Sequence, residues 1–303
     1  MACEDKAVTS LLKKSLAYMR FGIDFFIMRR DRPYVLGLVT NDSCNLDCVG
    51  CRVANVNHEV MSMAQVKEVL EHYFEKGIRM LYISGGEPYL WRDGRYRLPD
   101  IVRFARDIGY LRTHVYTNGT IRLSPEPDFT WISIDGFGKT FEKIRGIPIE
   151  RVLRNVRGFQ GRHAITFTIN TINYREIRET LEFLGRELPR TRVMFFFHTP
   201  YYGIDHLYLS HEQRKRAVSS VLDCRRKGFP VLNSKTALDT YLSRSDSAPL
   251  GFSWVVDASG EYRCCRVEGD PNVCRDCGYS TGYEILQARR GRPGAIGALL
   301  RMQ

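Results

Sequence analysis

Short, nearly continuous apolar runs alternate with amphipathic stretches from about residue 33 to residue 230. The run at 35–40 (VLGLVT) predicts a first strand, and Ser62-Met63-Ala64-Gln65 carries an S-x-x-Q capping pattern. That pattern predicts a helix ending at Gly77, a residue that stops helices by turning left-handed. Further strands are predicted at 79–84 (RMLYIS), 112–117 (RTHVYT), 130–134 (TWISI), 164–171 (AITFTINT) and 192–199 (RVMFFFHT). Helical patterns fall between them at 99–108, 149–159 and 175–188, with a last one at 210–227. Six strand-then-helix units with apolar strands predict a parallel sheet covered by helices. Polar and Gly-rich punctuation follows each of the first four strands: Cys44 to Cys51, Gly85 to Pro88, Asn118-Gly119 and Asp135-Gly136. In parallel α/β folds, sites gather at the carboxyl ends of strands, so these four clusters should share one rim.

Two flanking segments follow other patterns. Wound as a helix, 11–30 places Leu12, Leu16, Met19, Ile23, Phe26 and Ile27 on one stripe, with Lys13, Lys14, Arg20 and Asp24 to the side. Such a stripe either packs on the core or lies on a membrane surface. Beyond residue 230, the segment 254–264 (WVVDASGEYRC) reads as a hairpin with a Ser-Gly turn that ends at Cys264-Cys265. Three divisions are therefore expected: a helical lead-in at 1–32, a core at 33–230 and a Cys-rich extension at 231–303.

Composition narrows the class. Hydrophobic residues make up 44% and charged residues 26% of the 303 positions, as in folded proteins. No apolar run is long enough to span a bilayer, and 1–10 does not resemble a secretory signal. The expected location is cytoplasmic, with membrane association through the N-terminal helix as an added option. The net charge of +11 implies attraction to an anion, but no nucleic-acid reader motif accompanies it, so no nucleic acid is expected. Nine cysteines, an odd number clustered at 44–51 and 264–277, argue for metal or cluster ligation instead of disulfides.

Cys44, Cys48 and Cys51 form a C-x3-C-x2-C run. A structural zinc site needs four closed ligands, and no fourth lies at the usual spacing. Three thiolates on a [4Fe–4S] cluster instead leave one iron open to a small molecule.

On these residues the chain resembles the radical S-adenosylmethionine (SAM) superfamily, across roughly residues 33–230. The family's residue before the third cysteine is commonly aromatic, and here it is Gly50. The resemblance implies a partial (β/α)6 TIM-type barrel with a small Cys-rich extension. It also implies an oxidoreductase- or transferase-type enzyme that binds SAM at the open iron and cleaves it to a 5′-deoxyadenosyl radical. Gly85, Gly86, Glu87 and Pro88 resemble the family's GGEP segment, with Glu87 expected to accept from the SAM ammonium. Asn118 resembles its TNG turn, and Ser133 and Asp135 its ribose- and methionine-contacting pair. Asn170 and Ile172 sit where relatives line the adenine, and His198 and Tyr201 could reach a substrate. An electron donor such as flavodoxin or ferredoxin is implied.

The C-terminal Cys264, Cys274 and Cys277 resemble ligands of an auxiliary [4Fe–4S] cluster, with zinc as the alternative and Cys265 as a spare. The cysteine pattern and the Tyr279 and Gly282-Tyr283-Glu284 segments also resemble hopanoid-biosynthesis radical SAM enzymes. A small molecule, an isoprenoid or another membrane lipid is therefore the expected substrate; the alternative is a peptide or protein maturase.

Overall fold

Each predicted core strand forms and joins one sheet. In the computed structural model, residues 15–302 are described, apart from 31, 190, 202, 204, 244–250 and 266–269. Strands β1 (Val35–Val39), β2 (Met80–Ser84), β3 (Arg112–Thr117), β4 (Phe129–Ser133), β5 (His163–Ile169) and β6 (Arg192–Phe197) pair in parallel, in chain order. Register follows apolar matching: Leu36 faces Leu81, Leu38 faces Ile83, and Ile165 faces Val193.

The helices between them form for local reasons. Helix α1 (Met63–Glu75) starts at Ser62, whose hydroxyl accepts from Gln65 N while the Gln65 side chain accepts from Ser62 N. Helix α2 (Leu98–Ile108) stops at Gly109, which takes a left-handed φ of 110° that other residues rarely adopt. Helices α3 (Gly138–Arg145), α4 (Glu150–Arg157), α5 (Ile177–Glu187) and α6 (His211–Arg226) follow. The pattern shows no sign of α3, because glycines at both ends leave only Phe141 and Ile144 as its buried face.

Two strands from beyond residue 230 enter the same sheet. Helix α7 (Lys235–Ser243) precedes the predicted hairpin, formed by β7 (Ser253–Val256) and β8 (Glu261–Arg263). Strand β7 pairs in parallel with β1, giving the order β8-β7-β1-β2-β3-β4-β5-β6. The sheet stays open between the β8 and β6 edges. Helices α8 (Ser280–Arg289) and α9 (Pro293–Arg301) end the chain.

The outward sheet face packs under α1 to α6 in two apolar clusters, around Leu36, Ile83 and Val115 and around Ile132, Phe167 and Phe195. The other face is aromatic: Phe129, Trp131, Met194 and Phe196 meet Ala298 and Met302 at the end of the chain. Residues 15–22 are helical and run into a π-turn at Ile23–Ile27. Leu12, Lys13 and Lys14 of the predicted stripe lie outside the described residues.

Candidate active site

The loop after β1 begins where the backbones of two strands almost touch. Gly86 N donates to Asn41 O and Glu87 N to Ser43 O, each at 2.9 Å. A Cβ on Gly86 would lie 2.3 Å from both Asp42 O and Ser43 O, and one on Gly85 would lie 2.2 Å from Asn41 O. The two glycines thus let the second loop clasp the lead-in to the cysteines. Asp42 gathers the other end of the loop, its Oδ2 accepting from Val56, Asn57 and His58 N at 3.0, 2.6 and 3.0 Å. Asn55 closes it from within: Cys44 N donates to Asn55 Oδ1 at 2.8 Å.

Cys44, Cys48 and Cys51 all line one cavity of about 250 Å³ at the carboxyl ends of the strands. Gly85, Gly86, Asn118, Ser133, Asp135, Asn170 and His198 line the same cavity. Two of its sulfurs have polar partners: Asn118 Nδ2 stands 3.6 Å from Cys44 Sγ, and Arg145 stands 3.8 Å from Cys48 Sγ. Burial pushes both thiols above the usual range, while those partners work the other way. Among the described residues, no three His, Cys, Asp or Glu side chains converge to hold one metal ion. The same holds for Cys264, Cys265, Cys274 and Cys277, so convergence on one ion does not separate the two cysteine groups; thiolates that each take a different iron need not converge. The donor set fits a cluster bound through three corners.

Glu87 is placed differently from the expectation that it reaches the SAM ammonium. It is wholly buried and does not line the cavity. Its carboxylate accepts from Thr117 Oγ1 at 2.8 Å, Asn118 N at 2.7 Å and Tyr89 N at 3.1 Å. Glu87 therefore locks the third loop, and with it Asn118, against the second. Pro88 is buried at the start of a 3-10 turn, and Ile172 caps Asn170 Oδ1 through its backbone N–H; neither lines the cavity. Asp135 accepts from Thr168 N at 2.6 Å and from Arg145 Nε at 2.7 Å, so its charge is already partnered.

Arg145, at the end of α3, is the functional residue that sequence reasoning missed. Burial alone would weaken its charge, but Asp135 and the Cys48 sulfur offset this and hold its pKa above the ordinary value. No sequence signal distinguished it from the chain's other basic residues. Gly50 is explained by its neighbours: a Cβ there would meet Leu207 Cδ1 at 3.1 Å and His198 Nδ1 at 3.7 Å. The His198 ring, whose Nε2 pairs with Asp205 at 2.9 Å, thus covers the side of the loop where an aromatic residue would stand.

The C-terminal cysteines sit on the aromatic side. Cys264 has a left-handed φ of 78°, which interrupts strand alternation and lets Cys264 and Cys265 face one region. A hydrogen bond with Cys265, burial, and the charges of Cys265, Cys277 and Cys274 all raise the Cys264 thiol. Cys265 thus stands within hydrogen-bond reach of Cys264. Tyr201 does not line the triad's cavity, and its pKa is raised by burial and by the charges of Cys277, Cys265 and Cys264. Tyr116 lines the cavity and meets Tyr279 hydroxyl to hydroxyl at 3.2 Å, so one tyrosine pair joins the two regions.

Residues 38–184 match the profile of the Radical SAM superfamily. Pre-heme d1 synthase of Dinoroseobacter shibae is 29% identical over 196 residues, covering 59% of this chain and 43% of that protein. AdoMet-dependent heme synthase of Methanosarcina barkeri is 30% identical over 193 residues, covering 57% and 53%. The chain spans about half the length of these curated relatives. Among solved structures, anSMEcpe with bound AdoMet and a Kp18Cys peptide superposes with a TM-score of 0.61 at 14% identity, over 89% of this chain and 84% of that one. Streptococcus suis SuiB bound to S-adenosylmethionine gives 0.59 at 13% identity, over 75% and 58%. These two share the fold.

Proposed function

We propose that this chain is a radical SAM enzyme that modifies an unactivated, apolar substrate, a reading supported by the match of residues 38–184 to the Radical SAM superfamily. The observation that carries this reading is the convergence of three thiols, Asn118, Ser133, Asp135 and Asn170 on one cavity. Cys44, Cys48 and Cys51 would hold the [4Fe–4S] cluster, which, reduced by a flavodoxin or ferredoxin, would supply the electron for reductive cleavage of SAM.

The chain's own residues supply orientation and charge. Arg145 keeps a buried positive charge beside Cys48, and Asn118 donates toward Cys44. Glu87 fixes the loop that carries Asn118. Ser133, Asp135 and Asn170 offer the polar edge along which the amino-acid and ribose parts of SAM would lie. Cys264, Cys265, Cys274 and Cys277 would hold an auxiliary cluster, or zinc in its place.

The reading of an isoprenoid or other membrane lipid as substrate rests on one aromatic side chain at the cavity, Tyr116. Tyr82 and Tyr116 meet edge to face, and Tyr116 stacks on Trp131. Gly37 leaves room for the Tyr82 ring, since a Cβ there would fall 2.2 Å from Tyr82 Cζ. A peptide maturase is the alternative, supported by the four C-terminal cysteines. The test adds a lipid extract or a peptide pool to the reduced, cluster-loaded protein. Lipid-dependent growth in 5′-deoxyadenosine formation supports the first reading, and peptide-dependent growth replaces it with the second.

A further inference from the structure

The N-terminal helix has two apolar faces, and the core uses only one. Phe21 and Phe25 pack with Tyr34, Phe25 also meets Phe252, and Tyr18 donates to Leu111 O at 3.1 Å. The other face is bare: Leu16, Met19, Ile23 and Ile27 are 57%, 58%, 43% and 73% exposed, with Phe26 and Met28 beside them. Their spacing is that of a single helical stripe. These six are half of the twelve large hydrophobic residues exposed among the described residues, so the patch is concentrated on one short helix.

The charge around the stripe has one sign. Arg20, Arg29 and Arg30 are exposed, and the only acid within 15–30 is Asp24, which is buried and paired with Arg30 and Arg32. The adjoining end of α8 adds to this rim. Arg289 lies over the Phe25 and Phe252 rings, and Arg290 and Arg292 are exposed beyond it.

We propose that this face docks the protein onto an anionic phospholipid surface, with the stripe entering the interface and the arginine rim meeting the head groups. A second copy is a poor occupant, because it would set the two arginine rims against each other. Tyr18 and Tyr34 anchor the helix beside Leu111 and the start of β1, at the amino-terminal ends of the strands. Docking therefore engages the end of the sheet opposite the cysteine cavity. It stands apart from the choice of substrate and from radical chemistry, and it can fail or hold independently of both.

The test is flotation of the full chain with phosphatidylcholine vesicles containing 0 or ~30% phosphatidylglycerol, with and without high salt. Binding should need the anionic lipid, weaken with salt, and fall at least ~10-fold in Ile23→Asp with Ile27→Asp, and likewise in Arg20→Glu with Arg29→Glu. Unchanged thermal melting confirms that the variants fold; should the Ile pair melt early, Met19→Gln with Ile27→Gln takes its place. No binding to anionic vesicles, binding that survives these substitutions, or a dimer that dissociates in the Ile23/Ile27 variant would overturn the proposal.

Discussion

The guanidinium of Arg145 stands 3.8 Å from the Cys48 sulfur while its Nε donates to Asp135 at 2.7 Å. A buried cation beside a thiolate favours added negative charge on whatever that thiolate holds. Replacing Arg145 by Met should therefore make the cluster harder to reduce, by roughly 50–100 mV if the lost interaction is about 1–2 kcal/mol. A redox titration followed by electron paramagnetic resonance reads the shift. An unchanged potential with intact iron content would show that Arg145 serves only Asp135.

Glu87 acts through other residues. Its removal in Glu87→Ala leaves three buried donors, on Thr117, Asn118 and Tyr89, without their acceptor. The expected cost is roughly 3 kcal/mol or more, read as a lower melting temperature, together with poor cluster retention because Asn118 loses its anchor. Normal stability with weakened SAM binding would instead return Glu87 to the role of a direct SAM contact.

Gly50 should not accept the aromatic residue common at its position. In Gly50→Phe the ring would have to displace Leu207 and His198, at a cost of about 1–3 kcal/mol. Adding His198→Ala should recover part of that loss in thermal melting. Full tolerance of Gly50→Phe alone would mean that the two side chains do not fill the place.

Glu284 gives a pH signature. Burial raises its carboxyl to about 7, while the Ser234 N–H pulls the other way. The native state then binds the proton more tightly than the unfolded chain, so stability falls as pH rises from 4.5 to about 7 and is flat above. The loss is roughly 3 kcal/mol over that window. Buried His114, held to about 4, adds an opposite slope between 4 and 6.5. Comparison of the wild type with Glu284→Gln across pH 5–8 isolates the Glu284 part. Parallel melting curves would contradict the assignment.

Much of the fold was legible because parallel strands buried on both sides read as apolar runs, and all six core strands formed where those runs stood. The cavity was legible for the same reason: Cys44, Asn118, Ser133 and Asp135 follow strands, and parallel topology gathers strand ends. What escaped depended on partners distant in sequence. Arg145 lies in α3, which the pattern did not predict, and only that helix sets it against Cys48 and Asp135. Glu87 and Tyr201 lie beside the expected site, but their contacts depend on the three-dimensional turn of each loop. Strand β7 pairs with β1 across more than 200 residues, and no local pattern encodes that neighbour.

Two cluster sites should be separable by analysis. Cys274→Ala with Cys277→Ala is expected to remove about four irons from the anaerobically reconstituted protein while leaving the Cys44 triad loaded. Unchanged iron would remove the second cluster from the account, and bound zinc would replace it.

The central claim is tested most directly by reducing the reconstituted protein with dithionite in the presence of SAM and measuring 5′-deoxyadenosine. The account predicts its formation in the wild type and its loss in Cys48→Ser. A fully iron- and sulfide-loaded wild type that forms none, or a Cys48→Ser variant that forms as much, would contradict it.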